Sequence, residues 1–177
     1  PAIRMAALMQ VPIKFIWSHD AFRVGEDGPT HEPVEQEAQI RLMEKLKNHN
    51  GQDSVRVFRP ADGGETTVCW QMAVENMDTP TALIFSRQPV NSLPAGTDYE
   101  QVRKGAYIVK GSDEDYDVIL LASGSEVATL LAGAELLRKD GIKLRIVSVP
   151  SEGLFRSQSK EYQESVLPKN AKIFGMT

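Results

Sequence analysis

The sequence predicts an α/β protein built as two successive three-layer domains, each with a mostly parallel sheet covered by helices. Three observations carry that expectation. Short apolar or alternating runs at 11–17, 54–58, 81–87, 104–109, 117–123 and 143–149 read as strands. Amphipathic stretches separate most of them, and strands alternating with helices build parallel sheets with both faces covered. The pattern breaks once, after Gln88, where Pro89, Pro94 and Gly96 interrupt any periodicity. The expected organisation is therefore a first domain over 1–88, a linker over 89–103 and a second domain over 104–177.

The elements follow in order. Ile3, Ala6, Ala7 and Met9 suit a short helix packed on a sheet, stopped by Pro12. The apolar run to Trp17 reads as a buried first strand. A long polar connection, 18–33, follows it. Pro33 suits the first turn of the next helix, and Glu32, Glu35 and Glu37 complement that helix's dipole. Val34, Ala38, Leu42 and Leu46 recur every four residues, which predicts them as its buried stripe. A turn at 48–53 leads to the second strand. Asp62 and Glu65 then have the spacing of a capping box, opening a helix that runs to about Asn76. In the second half, Gly124-Ser125-Glu126 opens a helix to about Lys139, with Ser125 the expected N-cap. The stretch 154–166 reads as mostly helix. The chain starts without methionine, in what looks like the second half of a helix, and ends as a strand without its next helix. It reads as part of a longer protein.

Composition narrows the function. The chain has 177 residues, 41% hydrophobic and 25% charged, enough apolar material for a core. Net charge is −4 and the basic residues are scattered, which argues against a nucleic-acid partner. No apolar run approaches the ~18–20 residues that span a bilayer. The single cysteine, Cys69, sits in a helical pattern as a core residue, and fits a reduced, cytoplasmic setting.

The chemistry concentrates in the first connection. His19, Asp27 and His31 share one glycine-rich loop at a strand exit, where α/β folds place their ligands. Gaps of eight and four residues do not match the short, regular spacing of zinc signatures, so no metal site is expected there. His31 stands just before a helix N-terminus, whose dipole favours a neutral imidazole able to exchange a proton. His19 and Arg87 each fall at the end of a parallel strand. Two donors on that rim suggest a phosphate or carboxylate, which the arginine fork matches. A surface arginine paired with a neighbouring acid is the competing reading for Arg87 alone. There is no Walker pattern and no G-x-G-x-x-G.

The same residues carry a family resemblance. His19-Asp20 followed by Gly25-Glu26-Asp27-Gly28-Pro29-Thr30-His31-x-Pro33 resembles the signature of transketolases. Arg59-Pro60-Ala61-Asp62-Gly63-x-Glu65, Ser86-Arg87-Gln88, Ala122-x-Gly124-Ser125-Glu126-Val127, Ser148-x-Pro150 and the 161–168 stretch agree in order and spacing. The resemblance implies the later part of a thiamine-diphosphate-binding, pyrimidine-binding domain, then an incomplete C-terminal domain. It implies transfer of a two-carbon ketol unit between sugar phosphates in a homodimer, with thiamine diphosphate and Mg²⁺. The cofactor-binding residues would lie mostly upstream, and none is assigned here. By resemblance His31 is the catalytic residue at the reaction centre and also bonds substrate. Asp27 reads the donor's C2 hydroxyl, and His19 and Arg87 hold the sugar phosphate. Ala21-Phe22-Arg23 departs from the family pattern, and Arg23 adds a bulky charge to the loop. Dihydroxyacetone synthase and deoxyxylulose-phosphate synthase are the enzymatic rivals. A non-catalytic sugar-phosphate-binding or subunit-interaction module is the rival from another class.

Overall fold

A computed structural model describes residues 1–20, 28, 35–111 and 115–176. Its first sheet is parallel, with the order β1–β3–β2, from β1 (Lys14–Trp17), β2 (Arg56–Phe58) and β3 (Thr81–Ile84). Trp17 stands opposite Ile84, and Phe58 opposite Leu83, so the three carboxyl ends lie side by side. Helices α1 (Ala2–Met9) and α2 (Gln36–Glu44) cover one face, where Ile3, Ala7 and Ile40 meet Val55, Val57, Ala82 and Ile84. Helix α3 (Gly63–Glu75) covers the other face with Val68, Cys69 and Met72.

The second sheet has the order β4–β6–β5–β7, from β4 (Tyr107–Lys110), β5 (Val118–Ala122), β6 (Leu144–Ser148) and β7 (Ile173–Met176). Only the pairing of β4 with β6 is antiparallel. Helix α4 (Glu126–Lys139) lies on one face; α5 (Glu152–Arg156) and α6 (Lys160–Val166) lie on the other. Both halves are therefore helix–sheet–helix layers, as the alternation predicts. One core cluster runs through both, joining Phe58, Leu83 and Met72 to Leu120, Val127 and Ile146.

The stretch between the sheets is itself built into the core. Leu93 and Val102 are buried, and residues Tyr99–Lys104 form a 3-10 helix packed on α3. The Tyr99 hydroxyl donates to Asp62 at 2.6 Å, and the Leu93 amide donates to the same oxygen at 2.9 Å.

Several local expectations are corrected. Among the described residues β1 lies at the edge of its sheet with Ile16 half exposed, rather than buried on both faces. Of the stripe expected to be buried on α2, Ala38, Leu42 and Leu46 are exposed and Val34 lies outside the described residues, while Ile40 and Glu44 are buried. The inward face mixes Ile40 and Met43 with charged residues, which charged and polar partners meet there. Arg41 pairs with Glu152, Glu37 approaches Arg59, and Glu44 accepts from the Val57 amide. The stretch 154–166 is mostly helical as expected, divided between two short helices. Asp62 does cap α3, accepting from the Glu65 amide at 2.9 Å. The Glu65 carboxylate reaches back to the Ala61 amide, one residue beyond the usual capping-box partner.

Candidate functional site

The rim made by the three parallel strand ends is where an α/β sheet presents ligand-binding groups. Pairing of β1 with β3 continues one step past the strands, with the Phe85 amide donating to the Trp17 carbonyl at 2.7 Å. Ser18 and His19 then leave β1 alongside Ser86 and Arg87 leaving β3. Both His19 and Arg87 are exposed on this rim. The Ser18 hydroxyl lies 2.9 Å from His19 Nδ1. Whichever ring nitrogen carries the proton, the two side chains are bonded and the imidazole stays exposed on the rim. The structure thus brings together two of the four site residues expected from sequence. Asp27 and His31 lie outside the described residues, as does Arg23.

Sequence reasoning missed what lies under the rim. Asp20 is buried, and its Oδ2 accepts from Arg59 Nη2 at 2.7 Å and from the Ser86 hydroxyl at 2.8 Å. Arg59, just past β2, is 2% exposed and also donates through Nη2 to both Glu126 oxygens, at 2.7 and 2.8 Å. Its Nη1 donates to the Ser123 carbonyl at 2.9 Å and hydroxyl at 3.1 Å. Burial alone would lower the Arg59 pKa, but Glu37, Glu126 and Asp20 hold it above its ordinary value. The exits of β1 and β2 and the β5–α4 turn of the second sheet thus meet at one guanidinium, and the exit of β3 joins them through the Ser86–Asp20 bond. The signal was in the sequence, because Arg59 and Glu126 belong to the recurring stretches quoted above. Their spacing gave no role.

Ser125, expected as an N-cap, makes no capping bond; its hydroxyl donates to Glu126 Oε2 at 3.0 Å. The helix start places Glu126 against Arg59. A second polar cluster joins the two halves. Glu65, fully buried, accepts from the Tyr107 hydroxyl at 2.8 Å and from the Ser148 hydroxyl at 2.7 Å. Burial pushes its carboxyl above the usual range against those donors. Cys69 is fully buried in the core as expected, and burial pushes its thiol well up. No described helix is long and apolar enough to cross a membrane.

Two sheets, each layered with helices and joined by a shared core and a buried ion-pair cluster, define the class: a two-domain α/β protein. Comparison with known proteins makes this specific. Residues 1–92 match the model of the transketolase pyrimidine-binding domain, and residues 105–177 match that of the transketolase-like C-terminal domain. The chain belongs to the transketolase family. It is 48% identical over 172 residues to a transketolase of Halalkalibacterium halodurans, covering 96% of this chain and 24% of that protein. Among solved structures, the Campylobacter jejuni transketolase superposes with a TM-score of 0.80 at 42% identity. That match covers 99% of this chain and 26% of the other. Transketolase from Pichia stipitis in complex with sedoheptulose 7-phosphate gives a TM-score of 0.82 at 35% identity, covering 98% and 24%. The chain therefore spans about a quarter of the length of the relatives it matches.

Proposed function

We propose that the chain carries the substrate-facing part of a transketolase active site, and that the intact enzyme transfers a two-carbon ketol unit between sugar phosphates. The observation that carries this reading is the pair His19 and Arg87 on neighbouring strand exits, within a chain of this family. An exposed imidazole and a guanidinium fork suit a phosphate's geometry and charge. A solved relative that binds a sugar phosphate supports the same assignment. His31 is taken as the proton-exchanging group at the reaction centre, and Asp27 as the residue reading the donor's C2 hydroxyl.

The family implies thiamine diphosphate, which supplies the carbon nucleophile when bound, together with Mg²⁺. The described residues contain no group of three His, Cys, Asp or Glu side chains able to hold a metal ion. No ligand to Mg²⁺ and no contact to the cofactor is assigned to this chain. Its own residues bind and orient substrate: His19 and Arg87 at the phosphate, Asp27 and His31 at the reacting end. The intact enzyme is read as a cytoplasmic homodimer.

The test is ketol transfer from xylulose 5-phosphate to ribose 5-phosphate by the intact protein, with thiamine diphosphate and Mg²⁺ supplied. Wild type is expected to transfer, and His31→Ala to lose ~10²-fold or more in kcat, the usual scale of a lost proton-transfer group. Cofactor binding without ketol transfer would indicate another thiamine enzyme. Absence of cofactor binding would indicate a non-catalytic module.

A further inference from the structure

Beneath the exposed pair on the rim, the residue following His19 is bonded to the residue preceding Arg87. Asp20 Oδ2 receives the Ser86 hydroxyl at 2.8 Å, and the same oxygen receives Arg59 Nη2 at 2.7 Å. Beyond the strand ends both chains leave the ladder, and there Asp20 and Ser86 meet while their neighbours His19 and Arg87 stay exposed. The coupling is short, partly buried and charge-assisted, the kind of hydrogen bond that restricts geometry most. Its third member is held from the other half of the molecule: Glu126, the first residue of α4, grips the same Nη2 through both oxygens.

We propose that Asp20 is a positioning residue for substrate phosphate: by tying Ser86 and Arg59 together beneath the rim, it sets the separation of His19 and Arg87. The role rests on the reading of those two residues as the sugar-phosphate donors. A carboxylate kept only for stability would be expected to use both oxygens. Asp20 Oδ1 is buried and has no hydrogen-bond partner among the described residues, an unpaired acceptor that folding alone would avoid. What the side chain does make are the two bonds that join the exits of β1, β2 and β3. The Glu126 contact extends control of the rim to the second sheet, so the C-terminal half helps to shape a phosphate site that it does not touch.

The test uses the intact enzyme and two donors, a phosphorylated ketose (xylulose 5-phosphate) and an unphosphorylated one (erythrulose). Ser86→Ala removes one hydroxyl and leaves the Arg59 ion pair in place. Losing a hydrogen bond to a charged group that fixes the rim is expected to raise KM for the ketose phosphate about tenfold. Competitive inhibition by inorganic phosphate should weaken by a similar factor. The kcat with the ketose phosphate should change by less than about twofold, because binding rather than the transition state is affected. KM for erythrulose should also move by less than about twofold. Asp20→Asn, close in shape, should act in the same direction and more strongly. Equal KM increases for both donors, or no change in either, would overturn the positioning role. If Asp20→Asn does not fold, Ser86→Ala decides alone. A wild type that transfers no ketol unit from either donor would overturn the transketolase reading itself, and the positioning role with it.

Discussion

Replacing Glu44 by glutamine isolates a buried carboxyl whose ionisation opposes the fold. Glu44 is the last residue of α2, is 4% exposed, and sits where the two halves meet. Its Oε1 accepts from the Val57 amide at 3.2 Å and from the Ser151 hydroxyl at 3.3 Å. Gly153 leaves the space for it, since an added Cβ there would lie 2.4 Å from the Glu44 Cδ. Burial pushes the carboxyl from 4.5 up to about 7, against the Val57 amide and the Arg41 charge, while Glu152 adds to the rise. A displacement of that size corresponds to about 3 kcal/mol. Between those two values the folded protein holds a proton that the unfolded chain has already released. The stabilisation is therefore complete below pH 4.5 and is lost as pH rises through about 7. Glutamine has the shape and neutrality of the protonated acid. Urea unfolding of both proteins at pH 5 and pH 8 should show Glu44→Gln gaining about 2–3 kcal/mol relative to wild type over that interval. A difference between the two proteins that does not change with pH would refute the reasoning.

Two further outcomes follow from buried groups. Arg59→Met leaves Asp20 and Glu126 buried without their counter-charge, and should cost about 3–5 kcal/mol in urea or thermal unfolding; a loss below about 1 kcal/mol would mean that water reaches the cluster. Cys69, fully buried with its thiol pushed well up by burial and by Glu65, should resist a thiol reagent such as DTNB in the native protein and react fully in denaturant. Rapid native labelling would contradict its place in the core.

Much of this architecture is readable from local pattern because its causes are local. Alternation and apolar runs marked the strands, and the Asp62–Glu65 spacing marked the start of α3. The rim was legible for the same reason: that ligands meet the carboxyl ends of parallel strands requires only knowing where strands end, which placed His19 and Arg87. Helix α2 was not legible. Periodicity shows that one face differs from the other, and hydrophobicity then suggests which is buried. On α2 that suggestion fails because Glu37, Arg41 and Glu44 meet Arg59, Glu152, Val57 and Ser151. No local signal announces partners 13 to 111 positions away. Ser125 misled similarly. Its residue type and position suit a cap, but its hydroxyl is taken by Glu126, whose carboxylate is turned to Arg59.

The buried cluster depends on strand order, the one property that a single sequence states least directly. With β3 between β1 and β2, the exit of the central strand carries Ser86, and the exits of the outer strands deliver Asp20 and Arg59 to the same place. Had β2 taken the centre, Ser86 and Asp20 would leave from opposite edges of the sheet, roughly 10 Å apart at strand spacing, and no direct bond could join them. The second sheet closes the cluster through a turn that suits this contact. Gly124 has φ 61°, and a Cβ there would lie 2.8 Å from Arg59 Cζ, so the turn that brings Glu126 to the guanidinium needs a residue without a side chain. The Gly124 amide also donates to the Arg59 carbonyl at 3.1 Å, and the Arg59 amide to the Pro150 carbonyl at 2.8 Å. Backbone and side chain of Arg59 are thereby fixed from the second half of the molecule. The phosphate-binding role proposed for His19 and Arg87 requires a defined separation between them, and this cluster lies where shear between their strands would be resisted.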